Sequence, residues 1–233
     1  YTKALGENGV SPDDALAVAQ HYEAVHDPAN AGRFYAFCGQ YAKALRLFLQ
    51  CGERELPAAI DVVGRARSDA LTHTLIDFLM GEPDGVPKDP NHIYRLYVAL
   101  GNYAQAAKTA VIIARQEQEL GNYKPAHAVL YETNVQLERQ HVEVPRALRK
   151  PFILLHSYVL VKKMVKRNDH DAAARMLLRV ARDVSKFPAH VAPILTSTVI
   201  ECKRAGLDAS AMHYARVLMR PEHRQQIDPQ FKR

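Results

Sequence analysis

The sequence predicts an all-α fold, a tetratricopeptide-like solenoid of helical hairpins (an α-α superhelix) whose helices differ in length. One phrase occurs twice, as Leu100-Gly101-Asn102-Tyr103 and Leu120-Gly121-Asn122-Tyr123, and an alanine follows each tyrosine three residues later. The pattern Gly-x-Tyr-x-x-Ala is typical of the turn and second helix of a tetratricopeptide-type repeat. Apolar residues elsewhere recur with a helical period, and no stretch shows the alternation of a strand.

Less similar copies of this phrase predict further turns between helices. Gly and Asn suit these positions because both tolerate the positive φ that a helix C-terminus often requires. The steps between turns range from 20 to 62 residues, whereas a regular array advances by about 34. An ordinary helical bundle with glycine turns is therefore the alternative fold. The predicted repeat hinges are Gly39, Gly101, Gly121, Asn168 and Gly206.

Cap and turn residues divide the first part of the chain. Residues 1–10 are expected to be a frayed end, and Ser11 with Pro12 starts a helix whose buried stripe is predicted to extend to Val25. Asp27-Pro28 starts a second helix that ends at Gly39, and a third follows up to Cys51. Two more are predicted at about 55–65 and 69–80, before a loop at 81–90 that contains three prolines and two glycines.

The second part of the chain is predicted to contain six helices, before a polar tail that begins beyond Pro221. The first of them carries alanines at intervals of four residues, which predicts a helix-packing seam formed by Ala106, Ala110 and Ala114. The predicted ranges are about 103–118, 123–138, from after Pro145 to Val165, 170–184, 191–204 and 209–219.

Composition gives an ordinary background for such a fold. The chain has 233 residues, of which 48% are hydrophobic and 24% charged. Three cysteines without a C-x-x-C pair are typical of a reducing compartment. The longest nearly apolar run, Phe152 to Val161, is too short to span a bilayer, so no transmembrane segment is predicted. Because no signal peptide precedes it and Tyr1 is not an initiator methionine, we expect a segment of a longer protein.

Residue patterns predict no catalytic residues, no metal ligands and no cofactor. The 11 histidines include no H-E-x-x-H and no pair spaced by four, and there is no phosphate-binding loop, nucleophile elbow or persuasive pair of catalytic carboxylates. The polar run Asn168 to Asp171 is interpreted as a turn and helix cap. His127, one turn from Tyr123 and from Tyr131, is interpreted as packed and hydrogen-bonded, with a groove lining as the alternative.

Basic residues align on one face of the helix predicted at 170–184. The chain carries a net charge of +6, which divides into −2 for residues 1–116 and +8 for residues 117–233. At 100° per residue, four cations lie opposite the apolar arc of that helix. They form a candidate partner-binding basic stripe or, alternatively, a solvated face. Nucleic acid is not an expected partner, because no binding motif or interleaved aromatic residues accompany the charges. The stripe is Arg175, Arg179, Arg182 and Lys186.

Four long phrases, at 31–52, 75–89, 94–130 and 185–207, resemble the C-terminal helical region of the intraflagellar transport protein 144 family. These WD-repeat proteins are large subunits of intraflagellar transport complex A, in which propellers precede a tetratricopeptide-like solenoid. The resemblance covers about residues 22–233. A cysteine-rich zinc module follows the solenoid in the family, but no such cysteines occur up to Arg233, so metal binding is not carried over.

The resemblance implies that residues 1–233 are one solenoid segment of a non-catalytic scaffold. It would bind other complex A subunits during retrograde ciliary transport and the ciliary entry of membrane receptors, with only an indirect link to membrane cargo. The implied location is the cilium or flagellum, the basal body and the cytoplasm. A solenoid from a vesicle coat would show the same periodicity and is the alternative function.

Overall fold

The computed structural model describes residues 12–83 and 85–227, and within these ranges it contains helices and no strand, which confirms the all-α prediction. Consecutive helices pack against each other within each of two compact units, which are divided between residues 109 and 110. The helices are α1 (Pro12–Ala24), α2 (Pro28–Phe37), α3 (Tyr41–Gln50), α4 (Leu56–Ala66), α5 (Asp69–Met80), α6 (Pro90–Ala99), α7 (Tyr103–Glu119), α8 (Tyr123–Arg139), α9 (Arg146–Lys166), α10 (His170–Arg182), α11 (Val191–Arg204), α12 (Asp208–Leu218) and α13 (Pro221–Arg224).

Most predicted boundaries agree with these ranges, and three expectations need correction. Val25 lies beyond the end of α1 and is exposed, because the chain turns at His26 before that side chain reaches the buried stripe. Helix α10 ends at Arg182, two residues early, and is followed by short 3-10 turns. The short helix α13 was not predicted. Residues 1–11, with the expected frayed end and Ser11 cap, and 228–233, in the expected tail, lie outside the described residues.

The first unit, which contains α1 to α6, packs around large apolar side chains. Tyr35, Phe48 and Leu56 are each at most 1% exposed. A polar cluster joins α1, α2 and α3 at the edge of this core: the Tyr35 hydroxyl and the Lys43 ammonium both donate to the Glu23 carboxylate, at 2.6 Å and 2.7 Å. These hydrogen bonds lower the pKa of Glu23. The first three helices are therefore held by a shared core and a shared carboxylate.

In the second unit, α8 to α12 pack in sequence order, each against the next. Its core includes fully buried leucines on α8 and α9, together with Phe187 from the turn that follows α10. Pro151 lies inside α9, whose helix continues on both sides of it. Among the helices that the structure describes, none is both long enough and apolar enough to cross a bilayer.

All five predicted hinge residues lie between helices, and their φ values range from 58° to 80°. Each hinge has the same two bonds: its own N–H donates to the carbonyl three residues earlier, and the next N–H donates five residues back. At Gly121, for example, the Asn122 N–H reaches the Glu117 carbonyl at 2.7 Å. This is the Schellman arrangement, which satisfies carbonyls left without partners at a helix C-terminus.

Three further hinges have the same bonds without the repeated phrase. They are His26, Gly81 and His141, and their φ values are 58°, 82° and 55°. Position 81 requires glycine because of its positive φ and also because no side chain fits there. A Cβ at this position would lie 2.5 Å from the carbonyl carbon of Val86. The two histidines instead adopt a conformation that L residues disfavour.

The predicted alanine seam is buried along its length. Ala106 and Ala114 are 1% exposed and Ala110 is 0% exposed, while Ile112 on the same helix is 56% exposed. The small side chains therefore face the protein interior, and the intervening isoleucine faces solvent.

We expect His141→Gly to stabilise the fold by about 1 kcal/mol, because glycine removes the Cβ penalty of the left-handed conformation. Chemical denaturation measures the change. The control is Gln140→Gly at the neighbouring helix cap, whose φ is −90°; it gains nothing from glycine and should be neutral or destabilising. Equal effects from the two variants would contradict the assignment of strain to His141.

We expect Ala110→Arg to destabilise the second unit, because overpacking a buried position costs about 1–3 kcal/mol and an unpaired buried charge costs more. The thermal unfolding midpoint should fall clearly. Ile112→Arg adds the same side chain at an exposed position of α7, so its midpoint should remain within a degree or two of wild type. A similar loss in both variants would show that the burial of Ala110 is not the cause.

Candidate protein-binding groove

The four residues of the basic stripe are exposed, but they do not form one uniform face. The Arg175 Nε donates to Asp171 on the same helix at 2.9 Å. Arg179 reaches across to α9, where its Nη1 donates to the Ser157 hydroxyl at 2.9 Å. Lys186 lies beyond α10 in the 3-10 turn Val184–Lys186. The stripe is thus divided between α10 itself and a concave surface next to it.

That surface is a groove of about 700 Å³ formed by the second half of α7, by α9 and by the end of α10, and all of its lining residues belong to the second unit. We call it the basic groove. Its floor is mainly apolar, and Ile153 on α9 is 40% exposed there. Of the stripe, Arg179 and Lys186 line the groove, whereas Arg175 and Arg182 do not. The residues that line it are Val111, Arg115, Gln118, Lys150, Pro151, Ile153, Leu154, Arg179, Asp183 and Lys186.

Two buried polar residues hold the walls of the basic groove together. The Gln118 side-chain amide donates to the Lys186 carbonyl oxygen at 3.2 Å, which ties α7 to the turn after α10. The Ser157 hydroxyl accepts from Arg179 and itself donates to the Ile153 carbonyl at 2.8 Å, which ties α10 to α9. Gln118 is only 8% exposed and Ser157 only 3% exposed. The groove is therefore a preformed feature of three elements.

The charges of the basic groove are unbalanced. Four of its lining residues are cations and one, Asp183, is an acid. Within the described ranges, Arg115, Lys150 and Lys186 form no ion pair with a carboxylate. The positive electrostatic potentials of these cations add up in a concave surface of low polarity, and the summed potential attracts anionic groups.

An aromatic cluster fixes the turn that carries Lys186. Tyr123, two residues after the Gly121 hinge, packs against Phe187 in a tilted geometry and against Tyr158 edge to face, with ring centroids 5.0 Å and 5.2 Å apart. Its hydroxyl accepts a hydrogen bond from the Ala189 N–H at 3.1 Å, and the Tyr158 hydroxyl bonds to His190 Nδ1. Burial raises the pKa of both tyrosine hydroxyls.

His127 is packed and hydrogen-bonded, as interpreted from the sequence. Its Nε2 lies 2.9 Å from His156 Nδ1, and its ring stacks on those of Tyr131 and Phe152. Burial, and secondarily the charge of His156, lower the pKa of His127. At the Asn168 turn, the Asp169 carboxylate accepts from the Ala172 N–H at 3.1 Å, as a helix cap.

No group of three or more potential His, Cys, Asp or Glu ligands comes together in the part of the chain that the structure describes. The two histidines His127 and His156 have aromatic neighbours, and the pair His170 and Glu201, 2.7 Å apart, instead has Arg204 as its third member. Neither pair has the donor set of a structural zinc site.

The whole chain matches a segment of known WD-repeat proteins. It is 47% identical over 237 aligned residues to WD repeat-containing protein 19 of Mus musculus and to that of Homo sapiens, which covers 100% of this chain and 18% of each relative. WD repeat-containing protein dyf-2 of Caenorhabditis elegans is 38% identical over 203 residues, covering 86% of this chain and 15% of that protein. No protein-family model matches the chain. The resemblance seen in the sequence phrases is confirmed, and the chain spans less than a fifth of these relatives' length.

We expect the stability of the fold to decrease as the pH falls, in part because of His127. A histidine whose pKa is lowered in the folded state contributes its full stability above its unfolded pKa and loses it as the pH falls. His127→Gln should therefore lose less stability than wild type between about pH 7.5 and pH 5.5. Urea denaturation at both pH values measures this difference, and identical losses in the two proteins would contradict it.

Proposed function

Because this chain is a relative of WD repeat-containing protein 19 along its whole length, we propose that it is a non-catalytic scaffold segment of an intraflagellar transport complex A subunit. Its task is to bind other subunits of that complex through the surfaces of its packed helices. Residues 1–233 form a C-terminal tetratricopeptide-like segment of a longer WD-repeat protein, and the complex to which it contributes serves retrograde ciliary transport.

The observation that carries this proposal is the similarity of the complete chain to proteins of this name, at 47% identity. The structure adds support, since consecutive helical pairs with Schellman hinges are suited to presenting extended binding surfaces. A further support is the basic groove, whose unpaired cations and apolar floor lie on the molecular surface.

The same relationship supports the cellular context that we propose. The protein is located in the cilium or flagellum, at the basal body and in the cytoplasm. Its direct partners are complex A subunits and not nucleic acid, and its connection to membrane receptors entering the cilium is indirect. The absence of metal, cofactor and catalysis belongs to this proposal as well.

The test is co-purification of the 233-residue chain with individually expressed complex A subunits. We expect at least one subunit to bind the wild-type chain. Exposed charges outside the groove are tested with the double variant R175E/R182E, which should weaken this binding if the outer stripe also meets an acidic partner surface. Arg179 is left unchanged because it bonds to the buried Ser157.

The matched control is R46E/R95E, which changes the charge equally at two exposed positions of the first unit. Circular dichroism melts establish that each variant is folded. If no complex A subunit binds the folded wild-type chain, the proposed function is wrong. If R175E/R182E binds every subunit as well as R46E/R95E does, Arg175 and Arg182 belong to a solvated face.

A further inference from the structure

We propose that the basic groove binds an acidic peptide segment of a partner protein, with an apolar side chain of that segment seated on the groove floor. This inference rests on the proposed function and deepens it, because it assigns a class of ligand to one defined surface. Both the charges and the apolar floor of the groove favour this ligand.

The cations of the groove are available to an incoming carboxylate. Arg175, outside the groove, already pairs with Asp171 at 2.9 Å, but Arg115, Lys150 and Lys186 have no carboxylate partner among the described residues. Arg115 offers a planar group that can hold a carboxylate at two points. Acidic side chains of a peptide would therefore find partners without first breaking internal ion pairs.

The apolar floor favours a peptide over a simpler anion as the ligand of the groove. Val111, Ile153 and Leu154 line the groove between the cations, and Ile153 is 40% exposed. A phosphate or a lipid headgroup would pair with the cations and leave this apolar surface in water. A peptide with acidic residues on both sides of a leucine would pair with the cations and also cover the apolar floor, since the leucine removes apolar surface from water. The groove lining also contains no aromatic ring on which a nucleic-acid base could stack.

The walls of the groove are held in place before any ligand arrives. Gln118 bonds to the Lys186 carbonyl and Arg179 bonds to Ser157, so α7, α9 and α10 are joined around the cavity. A preformed site loses less conformational freedom on binding than one that must be ordered by its ligand. A short linear segment is therefore a ligand that this groove can select without rearrangement.

The test uses a short fluorescent peptide in which glutamates flank a pair of leucines, titrated with the 233-residue chain by anisotropy. We expect saturable binding that weakens as salt is added, and weaker binding of peptides with lysine for glutamate or serine for leucine. R115E/K150E should weaken binding about tenfold or more, because like charges then face each other. The control R149E/K163E changes two exposed cations of α9 outside the groove and should bind as wild type does.

The apolar floor is tested separately. Ile153→Asn should weaken binding several-fold at every salt concentration, whereas Ile112→Asn, at an exposed position outside the groove, should not. If R115E/K150E loses its helical circular-dichroism signal, R115Q/K150Q replaces it, with an expected loss of a few-fold. Equal binding by wild type and the folded groove variant would overturn the proposal.

Two further outcomes would also overturn it: failure of the acidic peptide to bind wild type, and groove-dependent binding of phosphatidylserine vesicles in place of the peptide. The co-purification experiment separates this inference from the proposed function. If R115E/K150E does not affect subunit capture, the scaffold function is supported but the groove does not contribute to subunit binding. Peptide binding without capture of any complex A subunit would support the groove and remove the proposed function.

Discussion

The left-handed residue that ends eight of the described helices is the constraint on which the rest of the structure depends. A helix that ends with a Schellman motif leaves in a direction set by two backbone bonds, and the next helix then begins within a few residues. The same pair of bonds occurs at eight positive-φ residues between His26 and Gly206. Because these bonds are local, each hairpin is defined by its own turn, and differences in helix length do not disturb the next turn.

One hinge links this local geometry to the basic groove. Gly121 brings Tyr123 to the start of α8, and Tyr123 then packs on Phe187 and accepts a hydrogen bond from Ala189. A Cβ at Gly121 would itself lie 3.1 Å from the Ala189 side chain. The segment after α10 is thus held between the aromatic cluster and Gln118, and this places Lys186 at the groove. A turn phrase that predicts only a helix end therefore also positions a charge 65 residues away in sequence.

Local signals in the sequence predicted the helices well, and distant arrangements could not be predicted. Gly-Asn-Tyr marks a hinge because glycine relieves a local strain, so Gly101 and Gly121 could be found from their residue types. His26 and His141 adopt the same conformation although histidine does not favour it, so their residue type does not mark these turns in the sequence. The basic stripe was seen on one helix, whereas the groove needs Arg115 and Lys150 from two others.

The magnitudes indicate why a groove of this kind suits an assembly scaffold. Exposed ion pairs contribute about 0–1 kcal/mol each, so four cations alone give at most about 4 kcal/mol, which corresponds to a millimolar dissociation constant. Burying a leucine side chain adds about 1.5–3 kcal/mol, which would bring one segment to tens of micromolar before the costs of ordering it. A partner held also at other surfaces experiences a high effective concentration at the groove. The complex is then stable while all of its weak contacts are formed, and a single contact can break and form again without dissociation. The charge of the groove selects the segment that binds there.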